Sequence, residues 1–194
     1  MAARQRLSPD VRRRQIAEAA TALLLEQSYL PLRMEALATR AGVSKGLVYG
    51  YFPTQHDLFN AVLSGEMDAL SAAGLDTASG GDLTERAIAW ASLYVRHIAG
   101  RGPVIHYILR DGHMAGHLAP AATALRDRLL RGFARGARRE LRLPPAEAVA
   151  ATAMVAAIPE ECGRLAWQGD LTLARAEELS AQLVTSAISS LRPT

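Results

Sequence analysis

The sequence predicts an all-α protein of about nine helices, and three observations support this. Apolar residues recur every three or four positions, as they do at Ile16, Ala19, Ala20, Leu23 and Leu24. Capping residues precede these periodic segments, and glycine or proline follows them. Hydrophobic residues make up 49% of the chain, yet no run of β-branched residues supplies a parallel sheet. We expect a three-helix N-terminal domain over residues 1–53 and a helical bundle over residues 54–194.

The first helix is predicted to begin at Ser8-Pro9-Asp10. These residues provide an N-cap, a proline suited to the first turn and a carboxylate near the positive end of the helix dipole. Three consecutive arginines, at 12–14, lie close to this start. They either solvate an exposed helix or contact a phosphate backbone.

The second and third helices are predicted to form a helix-turn-helix. Residues 34–40 carry apolar side chains at helical spacing, and Gly42 follows where a helix end favours a positive φ. Ser44 is a strong N-cap for a short third helix. Val48 and Phe52 are four residues apart and are expected to pack inward. Such a short helix, supported by another, is the element that enters a DNA major groove.

The segment Gly-Val-Ser-x-Gly-x-x-Tyr-x-Tyr-Phe at 42–52, followed by Asp57-Leu58-Phe59, resembles the signature of TetR-family transcriptional regulators. The resemblance covers roughly residues 10–60 and implies an N-terminal DNA-binding domain. Family members usually carry Thr or Ser at the start of the second helix, where this chain has Leu32 and Arg33. They also usually carry Lys or Arg where this chain has Gln55, so one phosphate contact is expected to be neutral or missing.

The predicted DNA interface combines base-reading and phosphate-binding side chains. Lys45 and Leu47 are best placed for base edges, and leucine can contact only apolar edges such as a thymine methyl. Tyr49 and Tyr51 can donate hydroxyl protons to phosphates, and Arg33 can contact a phosphate through its charge. The complete predicted set is Arg33, Ser44, Lys45, Gly46, Leu47, Tyr49, Tyr51 and Thr54.

The charge distribution agrees with this interface. The formal net charge is only +3, but residues 1–52 hold eight basic and four acidic side chains. Positive charge is therefore concentrated at the N-terminus, as phosphate binding requires. Lys45 is the single lysine among 22 basic residues. This bias is explained either by the base composition of the coding genome or by a need for a flexible ammonium at this position.

The same residues allow an alternative. Gly42-Val43-Ser44-Lys45-Gly46 matches Gly-x-Ser-x-Gly, the nucleophile elbow of α/β-hydrolases. An elbow requires a buried strand before the serine, whereas the preceding residues have helical periodicity. A second alternative is a helical small-molecule-binding protein whose helix-turn-helix no longer binds DNA.

The C-terminal bundle is predicted from caps and breakers. Thr54 to Asp57 resembles a capping box that opens the fourth helix, and Asp82 caps the fifth. Pro159 lies inside a long helix and should kink it. The predicted bundle helices after the fourth cover residues 82–99, 104–109, 120–143, 146–167 and 173–191.

A ligand pocket is predicted within this bundle, where apolar walls combine with a few polar groups. The residues assigned to it are Trp90, Tyr94, His97, His106, Tyr107, Met154 and Glu161. The His113-x-x-x-His117 pair has metal-ligand spacing, but the neighbouring glycines favour a loop, so no metal site is predicted. Arginines at positions 128 to 142 form a stripe that is expected to be solvated, with anion binding as the alternative.

The last two helices are rich in alanine, and small residues allow helices to approach closely. With the family resemblance, this predicts a four-helix dimer interface formed with a second copy. Its assigned residues are Ala153, Ala157, Leu179, Leu183 and Ala187.

These observations predict a non-enzymatic, ligand-responsive repressor that binds a palindromic DNA operator as a homodimer. Its partners are double-stranded DNA, an unidentified small-molecule inducer and a second copy, and no cofactor is expected. One cysteine, the lack of a signal-peptide core and the lack of a membrane-length apolar run predict a cytoplasmic protein.

Overall fold

The computed structural model describes residues 8–75 and 81–192, and the regular secondary structure in these ranges is helical. The expectation of an all-α fold with an N-terminal helix-turn-helix is confirmed. Nine α-helices lie in the described ranges: α1 (Pro9–Gln27), α2 (Met34–Arg40), α3 (Lys45–Tyr51), α4 (Gln55–Ala72), α5 (Leu83–Arg101), α6 (Val104–Arg110), α7 (Pro120–Glu140), α8 (Pro145–Gln168) and α9 (Leu173–Ser190). A short 3-10 turn at Gly112–Met114 separates α6 from α7. None of the described helices is long and apolar enough to cross a bilayer.

The described residues form two compact units, and the predicted division after residue 53 stays a prediction. Among the described residues, the first unit contains residues 8–65 and 104–122, and the second contains residues 66–75, 81–103 and 123–192. Helix α4 is continuous across residue 65 and contributes to both. Within the first unit, the segment from α6 onward joins the three N-terminal helices. This long-range association carries no local sequence signal.

Several hydrogen bonds hold this segment within the first unit. The Asp111 carboxylate accepts from the backbone N–H of Leu30 at 2.8 Å, and Ser28 Oγ lies 3.1 Å from the Tyr107 hydroxyl. Asn60 on α4 donates to the His117 carbonyl and accepts from the Ala119 N–H, both at 2.8 Å. The first unit is therefore held together by polar contacts as well as by its apolar core.

In the second unit, α5, α8 and α9 pack on one another around an apolar core. The Asp82 carboxylate accepts from Glu85 N–H, and Glu85 accepts from Asp82 N–H, so the predicted N-cap is part of a complete capping box. Helix α8 contains Pro159, which is buried. The proline nitrogen carries no hydrogen, so the helical bond to Val155 is missing there.

Candidate nucleic-acid interface

Helix α3 presents most of its side chains to solvent. Of its seven residues, Val48 is fully buried, and Phe52, which caps the C-terminal end, is also fully buried. Leu47 and Tyr49 retain 40% and 42% exposure although both are large and apolar or amphipathic. Lys45 and Gly46 are exposed as well. A short helix anchored by two buried residues thus leaves an accessible face of mixed chemistry.

The turn before α3 fixes the orientation of this helix. Gly42 adopts φ +62°, the left-handed conformation expected at the end of α2, and Ser44 Oγ accepts from Leu47 N–H at 3.2 Å. The Gln15 side chain on α1 donates to the Ala41 carbonyl at 2.8 Å. The Ser44 bond satisfies an N–H group at the start of α3. The Gln15 bond satisfies a carbonyl at the end of α2 and links α2 to α1.

Lys45 forms an ion pair with Glu35 on α2. The ammonium nitrogen lies 2.5 Å from the Glu35 carboxylate, and both side chains are about half exposed. The hydrogen bond between them lowers the pKa of Glu35 and raises the pKa of Lys45. The lysine predicted to read bases is therefore already paired in the free protein.

Arg13, one of the exposed N-terminal arginines, also contacts the end of α3. Its guanidinium donates to the Tyr51 carbonyl at 3.1 Å and lies 4.4 Å from the centroid of the Phe52 ring. The contact combines a charge-assisted hydrogen bond with a cation–π interaction, and it fixes the C-terminal end of α3 to α1. Arg12 instead lines a shallow concavity on the surface together with Ser44 and Leu47.

The remaining predicted interface residues lie at helix starts. Arg33 occupies the N-cap position of α2 and forms no capping hydrogen bond, as expected from the missing hydroxyl. Thr54 and Asp57 exchange hydrogen bonds at the start of α4, so the Thr54 hydroxyl serves as a cap. Tyr51 is partly buried, in contrast to the exposed Tyr49.

Gln55 has a structural role that the sequence did not indicate. Its side-chain amide donates to the Leu32 carbonyl and accepts from the Leu32 N–H, both at 2.9 Å. One glutamine therefore satisfies both backbone polar groups of Leu32, which lies shortly before α2. The two departures from the family pattern, at Leu32 and Gln55, are in contact with each other.

The Gly-x-Ser-x-Gly segment is not arranged as a nucleophile elbow. Ser44 follows helix α2 rather than a strand, and no strand is present in the described ranges. Its hydroxyl oxygen accepts from a backbone N–H as a cap. The strand–turn–helix context that exposes a nucleophile is therefore missing.

The residues predicted to form a ligand pocket do not share one cavity. An apolar cavity of about 40 Å³ lies in the second unit among α5, α7, α8 and α9, and Trp90 is the one predicted residue that lines it. Tyr94 stacks on Trp90 with ring centroids 5.1 Å apart. His97 Nε2 lies 2.8 Å from the Glu66 carboxylate, so this histidine belongs to a buried ionic cluster.

The other predicted pocket residues lie elsewhere for identifiable reasons. His106 and Tyr107 are on α6 and belong to the first unit. Met154 is 66% exposed, on the outer face of α8. Glu161 is exposed and pairs with Arg164 one turn further along the same helix. Helical periodicity predicted the helix on which each residue lies, but it did not predict which face of that helix packs inward.

The predicted dimer residues lie on solvent-accessible parts of α8 and α9. Leu183 is 45% exposed, Ala153 is exposed, and Ala157, Leu179 and Ala187 are partly buried. Met154 and Val149 add large apolar side chains to the exposed part of α8. The last two helices therefore carry apolar surface that is not used in the packing of a single chain.

The histidines near the 3-10 turn stack on one another. The His56 ring is nearly parallel to that of His117 at 3.8 Å and lies 4.6 Å from that of His113. Within the part of the chain described, no group of three or more His, Cys, Asp or Glu side chains is arranged to hold a metal ion. The arginines of α7 at 128, 131, 135 and 138 and Arg142 beyond it are exposed, as expected of a solvated stripe.

Residues 16–62 match the family model of bacterial regulatory proteins of the tetR family. A 65-residue segment is 38% identical to the HTH-type transcriptional activator FasR of Mycolicibacterium smegmatis. The aligned segment covers 34% of this chain and 30% of that protein.

Two solved structures show how far the fold itself is shared. A TetR-like transcriptional regulator from Rhodococcus sp. RHA1 is 19% identical, with a TM-score of 0.73 over 95% of this chain and 99% of that one. The TetR-family regulator PfmR from Thermus thermophilus is 21% identical, with a TM-score of 0.67 over 90% of this chain and 97% of that one. At these identities the likeness establishes the fold across nearly the whole chain.

Proposed function

We propose that this chain, whose residues 16–62 match the family model of bacterial regulatory proteins of the tetR family, is a ligand-responsive repressor that binds a two-fold DNA operator as a homodimer. The single observation that carries the DNA-binding part is the exposed face of α3. Lys45, Leu47 and Tyr49 remain accessible there while Val48 and Phe52 anchor the helix. A short exposed helix of this kind fits the major groove, which is about 12 Å wide.

Some side chains at the proposed interface position the protein on the phosphate backbone, and others contact base edges. Tyr49 has a hydroxyl that can donate to a phosphate, Arg12 adds positive charge beside the turn, and Arg33 adds positive charge at the start of α2. Leu47 offers an apolar surface to a thymine methyl, and Lys45 can donate to guanine O6 and N7. The proposed interface therefore contains both sequence-independent and sequence-dependent contacts.

Dimerisation is supported by the apolar surface on α8 and α9. Met154 and Leu183 are large, and a monomer leaves them in water. Association of two copies through the same helices would remove this surface from solvent with two-fold symmetry. Two recognition helices related in this way require half-sites about one helical turn apart. Occupation of such an operator represses transcription when it overlaps a promoter.

Ligand response is supported by the cavity in the second unit. No charged side chain lines it, and the buried Trp90 indole N–H has no hydrogen-bond partner among the described residues. These features suit an uncharged, mostly apolar ligand with one hydrogen-bond acceptor. The cavity holds only about 40 Å³, so a ligand must displace the surrounding helices. We expect a coupling free energy between ligand and operator binding of about 1–3 kcal/mol, which corresponds to a roughly 5–150-fold change in DNA affinity.

The test of DNA binding uses two variants of α3. A duplex is first selected from random sequence with the wild-type protein, and affinity is then measured for Lys45→Ala and Tyr49→Phe. We expect each to lose about 1–3 kcal/mol, or roughly 5–150-fold. Gln182→Ala on α9 serves as the control and keeps wild-type affinity. Wild-type affinity in both α3 variants would contradict the proposal.

The test of ligand binding uses the fluorescence of Trp90. Because the chain has two tryptophans, Trp167→Phe leaves Trp90 as the single reporter. We expect the neutral dye N-phenyl-1-naphthylamine to quench its emission and to weaken operator binding in parallel. Ala156→Phe fills the cavity and should abolish both effects. Quenching that persists in the filled variant would place the dye elsewhere and contradict the proposed site.

A further inference from the structure

The ion pair between Glu35 and Lys45 places a carboxylate beside the proposed base-reading lysine. The two residues are ten positions apart and lie on α2 and α3, and 2.5 Å separates their charged atoms. Glu35 is 64% exposed and Lys45 is 49% exposed, measured on their side chains. Lys45 is the sole lysine of the chain, so Glu35 holds the one flexible ammonium available for base recognition.

A paired lysine contributes little to non-specific DNA binding. Non-specific affinity arises from the release of counterions when cationic side chains neutralise phosphates. While Lys45 is bound to Glu35, the pair carries no net charge and releases no counterion. A phosphate must compete with a carboxylate of the same sign that is already in place. The pair therefore reduces attraction to DNA of arbitrary sequence.

A G·C base pair offers both members of the ion pair a new partner. Guanine O6 and N7 accept hydrogen bonds from lysine, and cytosine N4 donates to glutamate, all in the major groove. Separation of Lys45 from Glu35 is thus compensated at this base pair. At an A·T pair the adenine N6 donor lies between the two acceptors, adenine N7 and thymine O4, so lysine finds no adjacent pair of acceptors there.

We propose that Glu35 is a specificity-determining residue that neutralises Lys45 on DNA of arbitrary sequence and releases it at a G·C pair of the operator. This inference rests on the proposed DNA-binding function. Glu35 thereby lowers non-specific affinity more than operator affinity. Its effect depends on Lys45 and is absent when that lysine is removed.

The experiment compares Glu35→Gln with wild type on two duplexes, one selected from random sequence by the wild-type protein and one scrambled. We expect Glu35→Gln to steepen the slope of log affinity against log salt by about 0.9 on the scrambled duplex. This difference in slope means that Glu35→Gln loses roughly 3.5-fold more affinity than wild type between 50 and 200 mM salt. The ratio of specific to non-specific affinity should fall at least about threefold.

Two controls separate this mechanism from a change in net charge. Glu26→Gln breaks the pair with Arg40, which also spans 2.5 Å and is also exposed, and alters the net charge equally. It should leave the salt slope unchanged. Glu35→Gln combined with Lys45→Met should show no steepening relative to Lys45→Met alone. Thermal melts confirm that each variant is folded.

The possible outcomes distinguish failure of this inference from failure of the proposed DNA-binding function. Equal steepening with Glu26→Gln, or steepening that persists without Lys45, would overturn the inference. No change with Glu35→Gln would overturn it while DNA binding by the wild-type protein still stands. If the wild-type protein shows no salt-dependent DNA binding at all, both the inference and the proposed function are overturned.

Discussion

Gly42 and Gly46 lie four residues apart and differ in backbone conformation. Gly42 has φ +62°, whereas Gly46 is helical, and at both positions a Cβ would have no other atom within 4 Å. Alanine at Gly42 therefore costs backbone energy alone, about 1–2 kcal/mol. At Gly46 the same change should stabilise the protein by up to about 1 kcal/mol. Urea unfolding of the two variants tests this difference in sign.

Glu66 is the buried carboxylate of the second unit, with 3% exposure. Burial alone would raise its pKa, but hydrogen bonds from Arg101, at 2.7 and 2.8 Å, and from His97 lower it to about 2. The ordinary pKa of this group is 4.5. Ionised Glu66 therefore stabilises the fold above about pH 4.5, and this contribution is lost as pH falls toward 2.

We expect Glu66→Gln to flatten the acid side of the stability profile. Integration of the pKa difference gives about 3 kcal/mol of stability lost by wild type between pH 4.5 and 2. The free energy of unfolding, measured by denaturant titration across this range, should decline less in the variant. Glu178→Gln, at an exposed position of α9, provides the control. An unchanged pH slope in Glu66→Gln would contradict the assignment.

At the residue scale, the sequence predicted contacts that depend on neighbours in the chain. The Ser44 cap, the positive φ of Gly42 and the capping of Thr54 by Asp57 all involve residues within three positions of each other. The contacts it missed, the Glu35 side chain with Lys45 and the Gln55 side chain with the Leu32 backbone, join residues 10 and 23 positions apart. These depend on how the helices pack, which periodicity alone does not specify.

At the element scale, α8 and α9 carry the apolar surface assigned to dimerisation. Leu183→Glu places a charge on this surface, which is expected to be buried between two copies. A charge buried without a partner weakens an interface by several kcal/mol. Analytical ultracentrifugation should show a dimer for wild type and a monomer for Leu183→Glu.

The control for this variant is Ser189→Glu. Ser189 is also exposed on α9 but lies about 120° around the helix from Leu183. The Ser189→Glu protein should remain dimeric. A monomeric wild-type protein at micromolar concentration, or a dimeric Leu183→Glu protein, would contradict the assigned interface.

The sequence predicted the elements more accurately than their faces. The breaks at Pro103, Pro120 and Pro144 separate helices as expected, because proline and glycine act locally. The pocket residues were placed on helices, yet just one of them, Trp90, lines the cavity. Tyr94, for example, is buried by stacking on Trp90. Which face of each helix turns inward is set by the neighbouring helices of the bundle, and periodicity alone does not specify it.

At the scale of the whole molecule, the proposed function requires two properties in one chain. The first unit presents α3, and the second unit contains an apolar cavity and exposed apolar helices. The resemblance at 42–52 predicted the first unit from local residues. It could not predict that residues 104–122 join that unit, since the association spans distant parts of the sequence.

The central claim, that the exposed face of α3 reads a DNA duplex in a two-fold assembly, is tested most directly by selection from random DNA. Wild-type protein should enrich a palindromic sequence whose half-site centres lie about 10 base pairs, or a multiple of one helical turn, apart. Leu47→Ala should enrich a sequence altered at the same position of both half-sites. A pool that remains random with the wild-type protein, or a wild-type sequence enriched by an α3 variant lacking Lys45, Leu47 and Tyr49, would contradict the claim.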